Sequence, residues 1–264
     1  QRQMCIRDRP NPRVNRVVKN PLTFDIITLF PDLFSSFLNE SLIGKGILKG
    51  ELEIRLTNLR EFGTGKHRRV DDEPYGGGPG MLFRPEPVVQ ALEERKSFYE
   101  KKDQQVRSIL LTPQGKPFQQ KKAEELSACD ECLLLICGRY EGFDERIIDY
   151  VDEEISGGDF ICLGGEVIAM VFIEAISRLR GNILGNQESA EQDTFSQNGI
   201  LEYPQYTRPS EFRGQRVPEV LLSGHHARIL EWRSQQARQR TLQRRPELLT
   251  EKHKGEDARL DESS

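Results

Sequence analysis

Long apolar runs are missing from this chain of 264 residues, and no uninterrupted stretch approaches the roughly 18 to 20 residues that a membrane-spanning helix needs. No membrane segment is expected. The first residues are polar and basic, without the apolar core of a secretory signal, so the expected location is cytoplasmic. Cysteine is scarce as well. Cys5, Cys129, Cys132, Cys137 and Cys162 are odd in number and spread over four neighbourhoods, which argues against a disulfide framework and for a reducing compartment. Cys129 and Cys132 match C-x-x-C, but no second pair follows at zinc-ribbon spacing. His225 and His226, two of only four histidines, are adjacent and would point about 100° apart on a helix, a poor metal pair. No metal ligands are assigned.

The common nucleotide fingerprints are missing too. Gly65-Lys66-His67 has the Gly-Lys of a phosphate loop, but Arg60 stands where the first glycine belongs and His67 replaces the required hydroxyl residue. Gly44-Lys45-Gly46 lacks the third glycine of the dinucleotide motif. A cofactor here must be held in some other way.

With 36% hydrophobic and 30% charged residues the composition is that of a soluble globular protein, long enough for one large domain or two smaller ones. The net charge of -4 hides an uneven distribution. From Gln205 to Arg245 there are nine arginines against three glutamates, interleaved with Tyr206, Phe212 and Trp232. Guanidinium groups make bidentate phosphate contacts and aromatic rings stack on bases, so this segment suits RNA.

Short strand-like runs at Phe24 to Phe30, Glu53 to Leu56, Ser108 to Leu111, Cys132 to Cys137 and Asp159 to Leu163 alternate with helical patterns. The helices are expected over Leu33 to Leu38, Gln119 to Leu126, Asp144 to Val151 and Glu166 to Leu179. Alternation of this kind predicts an α/β fold with a mainly parallel sheet. The apolar pattern stops after Leu184. The expected organisation is a disordered tail over 1–22, an α/β domain over 23–184, a linker over 185–198, a helical domain over 199–249 and a second tail over 250–264. In the helical domain Ser223 is the expected N-cap, with Ile229, Leu230, Trp232 and Leu242 marking one face.

Two glycine-rich stations stand out. Cys137-Gly138-Arg139-Tyr140-Glu141-Gly142-Phe143-Asp144-Glu145-Arg146 directly follows a predicted strand, and Gly157-Gly158-Asp159-Phe160-Ile161-Cys162-Leu163-Gly164-Gly165-Glu166 encloses another apolar run. Glycine lets backbone approach a ligand closely, which suggests a small-molecule site built from main chain. A third segment, from Arg68 through Asp71-Asp72-Glu73 to Gly76-Gly77-Gly78-Pro79-Gly80-Met81, joins basic, acidic and bare-backbone elements in a way that suits a nucleotide-contacting loop. By spacing alone neither Arg178, near a helix end, nor Asp193, in the polar linker, is singled out.

Several ordered motifs together resemble the bacterial tRNA (guanine-N1)-methyltransferases of the TrmD family, in the SPOUT class: Ile27-Thr28-Leu29-Phe30-Pro31, Val70-Asp71-Asp72, Pro74 to Met81, the two glycine stations, Tyr206-Thr207-Arg208-Pro209 and Arg244-Arg245-Pro246-Glu247-Leu248-Leu249. The resemblance runs from Phe24 to about Leu249. It implies a SPOUT-type parallel sheet with a deep trefoil knot, a small helical C-terminal domain, and a homodimer whose active site is shared between subunits. S-adenosyl-L-methionine is implied as cofactor, with Mg²⁺ as an accessory ion, and tRNA carrying guanosine at position 37 as substrate. Cofactor contacts would fall to Leu111, Pro113, Gly138, Tyr140, Glu141, Gly142, Gly157, Gly158, Asp159, Phe160, Ile161, Cys162, Gly164 and Gly165. Substrate contacts would fall to Asp72, Gly78, Gly80, Arg208 and His226. The family pattern makes Asp193 the general base and Arg178 the stabiliser of the guanine. Cys162, Leu163 and Gly157 depart from the side chains usual in the family, so contacts there are expected through the backbone. The rival readings are a SPOUT enzyme acting on a ribose 2′-hydroxyl and a non-catalytic RNA-binding protein.

Overall fold

The computed structural model describes residues 20–181, 183 and 200–249. The chain divides into two compact units after Ile183. Residues 1–19 of the expected first tail, the second tail and the linker, with Asp193, fall outside the described residues, whereas Leu22, expected in the first tail, is the buried first residue of a strand.

The first unit is built on strand β1 (Leu22–Thr28), buried at every position. A strand buried on both faces needs a cover on each side. Phe24 and Ile26 face one core layer, completed by Phe34, by Ile43 of α2 (Ser41–Leu48), Leu126 of α4 (Gln120–Ser127), and Phe172 and Ile173 of α5 (Glu166–Ser177). Ile27 and Leu29 face the other layer, with Val88, Ala91 and Leu92 of α3 (Pro85–Glu100). Each of the larger of these side chains stabilises the fold by about 1.5 to 3 kcal/mol relative to exposure. On the first layer Phe118 stacks on Phe172 with centroids 3.9 Å apart.

The sheet is five-stranded and parallel, as expected of an alternating α/β pattern. Its order runs β2 (Leu52–Asn58), β1, β6 (Cys132–Cys137), β5 (Val106–Pro117), β7 (Glu153–Ser156). A small helix α1 (Ser35–Asn39) follows β1, and a two-stranded antiparallel ladder joins β3 (Asp71–Asp72) to β4 (Leu82–Phe83). Strand β5 pairs with β7 at Ile109 to Leu111, then shifts register so that Lys116 also stands opposite Ile155. The intervening residues bulge. Gly115 is required there, since a Cβ would stand 2.4 Å from the Ile155 nitrogen.

The structure corrects expectations in both units. Asp159 to Leu163 is loop, not strand, and the edge strand is the preceding Glu153–Ser156. Apolarity misleads because Ile161 and Leu163 are 80% and 90% exposed, whereas Glu153 earns its edge position through Arg107 and Lys122, the latter at 2.6 Å. The helix expected over Asp144 to Val151 is present with 3-10 geometry (Glu145–Tyr150), started by the Asp144 side chain accepting from the Arg146 nitrogen, and it buries only Ile147. In the second unit Ser223 closes the short helix α6 (Glu219–Leu222) instead of capping the next one; its hydroxyl donates to the Val220 carbonyl. His225 holds the N-cap of α7 (His226–Arg244).

The inward face of α7 is set by Ala237 and Thr241, with Ile229 and Trp232 half-buried, while Leu230 and Leu242 point to solvent. Thr241 is buried because its hydroxyl is doubly used, donating to the Ala237 carbonyl and accepting from the Leu201 nitrogen. The unit also contains a hairpin, β8 (Glu211–Phe212) with β9 (Gln215–Arg216). Arg213 and Gly214 turn it with φ of 51° and 79°, the paired positive values that match the strand twist. Among the described residues no helix is long and apolar enough to cross a membrane.

Candidate active site

The bulged stretch of β5 and the segments at the carboxyl ends of β6 and β7 enclose a cavity of about 310 Å³. Ligands in parallel α/β sheets commonly bind at this end of the strands. Of the positions singled out in the sequence, Leu111, Pro113, Gly138, Tyr140, Glu141, Gly142, Gly157, Phe160, Ile161, Cys162, Gly164 and Gly165 line it together. Gly158 and Asp159 do not. Thr112, Arg139, Phe143, Ile155, Ser156, Leu163 and Ile168 complete the wall. Arg139, Phe143 and Leu163 lie within the glycine stations and Ser156 adjoins one, whereas Thr112, Ile155 and Ile168, the last from the first turn of α5, lie outside them.

Glycine is used here for close approach. A Cβ on Gly138 would meet the Phe143 ring at 2.8 Å, one on Gly164 would meet Arg139 Nε at 2.2 Å, and one on Gly165 would meet Cys137 Cα at 2.9 Å. The first station and the end of the second are joined by backbone: Gly165 N–H donates to the Gly138 carbonyl at 2.8 Å, and Arg139 and Gly164 form an antiparallel bridge. Tyr140 adopts φ of 58°, an unusual conformation for a residue with a Cβ, and its ring meets the edge of Phe83 at 5.6 Å.

Behind this wall lies a buried carboxylate. Glu166, the first residue of α5, accepts from Thr28 Oγ1 at 2.8 Å and from Arg139 Nε at 2.9 Å. The Arg139 guanidinium also lies over the Phe30 ring at 4.6 Å. Burial pushes the Cys137 thiol well above its ordinary value, with Glu166 adding to the rise. Cys137 is therefore an inert core group and not a nucleophile.

The third segment reaches the same wall. Glu141 N–H donates to the Met81 carbonyl, Phe83 N–H to the Gly142 carbonyl and Asp144 N–H to the Phe83 carbonyl. Gly80 abuts the Glu141 side chain so closely that a Cβ would stand 2.3 Å from its Cγ. Gly78 and Gly80 have φ of 128° and 87°, and Asp72 is exposed on β3 with its carboxylate accepting from the Glu73 nitrogen. Asp144 is held below the usual carboxylate range by the hydrogen bond from Arg146.

Comparison with known proteins decides the family. Residues 22–251 match the family model described as tRNA (Guanine-1)-methyltransferase TrmD. The chain belongs to the TrmD family. It is 50% identical over 226 residues to the tRNA (guanine-N(1)-)-methyltransferase of Syntrophotalea carbinolica, covering 86% of this chain and 89% of that protein. The proteins of the same description from Geobacillus kaustophilus and Brevibacillus brevis are 51% and 52% identical, covering 87% and 86% of this chain and 92% and 91% of theirs.

In this TrmD-family chain the other described residues singled out, Asp72, Gly78, Gly80, Arg178, Arg208 and His226, are not among those that line the cavity. Arg178 is the C-cap of α5, whose opposite end adjoins the cavity. Twelve residues of helix separate it from Glu166, about 18 Å along the axis. Arg208 lies in the second unit on a separate cavity of about 440 Å³, which Tyr203, Tyr206, Ile229 and Arg233 also line. His226 is exposed at the start of α7. Among the described residues no three His, Cys, Asp or Glu side chains gather to hold a metal ion, so the expected Mg²⁺ has no such cluster to rest on.

Proposed function

We propose that this chain transfers a methyl group from S-adenosyl-L-methionine to N1 of guanosine 37 in tRNA, as a SPOUT-class enzyme with its cofactor loops drawn through a trefoil knot. The cavity of glycine-rich backbone at the bulge of β5 and the carboxyl ends of β6 and β7 carries this reading. A cradle in which Gly138, Gly164 and Gly165 leave no room for a Cβ suits a ligand read by main-chain groups, with Leu111, Ile155 and Ile168 supplying apolar contact. Bound there, the cofactor supplies an electrophilic methyl group on a sulfonium.

The rest is work for the chain. Guanine N1 carries a proton and attacks poorly until it is removed, and Asp193 is the residue we assign to take it. Loss of that proton leaves charge toward O6, which the Arg178 guanidinium offsets. Asp72, Gly78 and Gly80 border the acceptor base, and Arg208 and His226 of the basic second unit meet the tRNA backbone.

Two observations support a homodimer with a shared site. Phe30, Leu33, Val167 and Val171 are exposed apolar residues of the first unit, a surface that favours burial against a second copy. Val167, Val171 and Arg178 also fall at positions 1, 5 and 12 of the same helical stripe, so the arginine borders that surface and stands away from its own cavity. The enzyme would act in the cytoplasm, on tRNA.

Incubation of the full chain with labelled S-adenosylmethionine and tRNA carrying guanosine or adenosine at position 37 tests the reading. Label in 1-methylguanosine from the guanosine tRNA alone is expected. Equal labelling of both, a ribose-methylated product, or no labelling would sink it. In the same assay Asp193→Ala is expected to cut kcat at least about a hundredfold while cofactor binding stays within twofold.

A further inference from the structure

Glu166 is the only buried carboxylate of the first unit's described residues that bonds a loop of the cavity wall, and nothing in the transfer chemistry calls for it. Its two oxygens have divided partners. Oε1 accepts from Thr28, at the end of the central strand β1, and Oε2 accepts from Arg139, in the first glycine station. Thr28 Oγ1 accepts in turn from the Phe30 nitrogen, and the Arg139 guanidinium rests over Phe30 and reaches the Leu163 carbonyl at 3.4 Å. Arg139 thereby spans both stations, lying across Gly164 where no Cβ fits. Its neighbours in the chain are Gly138, whose carbonyl is tied to Gly165, and Tyr140, held at positive φ.

We infer that Arg139 and Glu166 are a positioning pair that clasps the two glycine stations together and holds the Gly138–Tyr140 backbone in the shape the cofactor requires. The inference rests on the methyltransferase reading above. Loop backbone at positive φ persists only where its surroundings over-determine it. Here the determinant is an ion pair anchored on the rigid sheet through Thr28 and on α5 through the helix itself. A buried pair is a costly way to gain stability, and a well-fitted apolar contact would serve as well. Directional hydrogen bonding across two loops is what an apolar contact cannot supply.

The test uses the full chain, with S-adenosylhomocysteine as the probe in calorimetry and steady-state methyl transfer beside it. In Glu166→Gln the carboxamide oxygen can still accept from Arg139, but the negative charge that matches the guanidinium and strengthens that hydrogen bond is gone. Its Kd for the probe is expected to rise at least tenfold, with KM for S-adenosylmethionine rising in parallel and KM for tRNA within twofold. Arg139→Lys, a milder change at a partly exposed side chain, is expected to rise at least threefold. The pair Arg139→Gln with Glu166→Gln removes the unmatched cation and keeps a donor and an acceptor between the loops, and is expected to recover at least threefold over Glu166→Gln alone. Kd values within twofold of wild type for the single variants overturn the inference, as does a double variant no better than Glu166→Gln. So does an equal rise in both KM values, the mark of general damage. If Glu166→Gln fails to fold by urea titration, Arg139→Lys alone decides by the same thresholds. A wild-type chain that binds no probe overturns the methyltransferase reading itself, an outcome distinct from these.

Discussion

Two buried carboxylates lie on opposite faces of the same strand region, and they do different work. Asp25, in the middle of β1, pairs with Arg95, whose Nη2 stands 2.7 Å away, and accepts from Arg95 Nε at 2.8 Å, from Tyr99 at 3.0 Å and from Thr57 at 3.0 Å. All of those partners stand on regular elements, α3 and β2. Phe98 adds a face for the Arg95 guanidinium at 4.3 Å, and burial drives the Tyr99 hydroxyl far above its ordinary value. Glu166 has fewer donors, and one of them is carried by a loop. The chemistry is the same in both places. Where the partner sits in the fold decides whether a buried charge locks the frame or shapes the site.

The comparison can be broken first at the frame. Asp25→Asn strips the charge that matches Arg95, whose side chain is 14% exposed, and removing one partner of a buried pair costs about 3 kcal/mol. A large fall in the urea midpoint is expected, with the Kd for S-adenosylhomocysteine unchanged in the folded protein. A variant that lost ligand affinity without losing stability would erase the contrast with Glu166. At the site, Gly164→Ala sets a Cβ against Arg139 Nε. The expected result is the reverse: a small change in urea midpoint and a loss of probe affinity of about tenfold, or about 1.4 kcal/mol.

The smallest effect is one of pH, and it falls at the far end of β5. Burial raises the Asp152 carboxyl, but hydrogen bonds from the Ser108 hydroxyl and backbone nitrogen outweigh this and hold it below the usual range. A depressed folded value stabilises the protein above the unfolded value, about 3.9, and that contribution is lost as pH falls through the folded value. Asp152→Asn is therefore expected to lower the urea midpoint at pH 6, with the deficit shrinking by pH 3. A deficit equal at both pH values would show that the charge contributes nothing there.

Much of the frame was legible because its signals are local. Cys132 to Cys137 is apolar without a break and forms a strand of those bounds, buried on both faces. Helix α5 could be read from its spacing, and the two glycine stations do meet on one cavity. Other elements were hidden for physical reasons. The edge strand Glu153–Ser156 has polar residues because only one of its edges pairs, and Arg107 and Lys122 satisfy its charge. Phe160 to Leu163 is apolar without being core, since it borders a cavity. Helix α3 was not anticipated, although Pro85 starts it and Val88, Ala91, Leu92 and Tyr99 recur on its buried face.

By itself, then, the sequence determined the alternation of strand and helix, the glycine-rich character of the site and the resemblance to TrmD proteins, because each is written in consecutive residues. Only the tertiary structure decided that Arg139 belongs to Glu166 and Asp25 to Arg95, pairs separated by 27 and 70 positions. It likewise decided that Arg178 stands a helix length from the cavity its own α5 helps to form. A charge in the sequence names no partner. Burial selects one, because an unpaired charge in the core costs more than any alternative packing of the chain can offset.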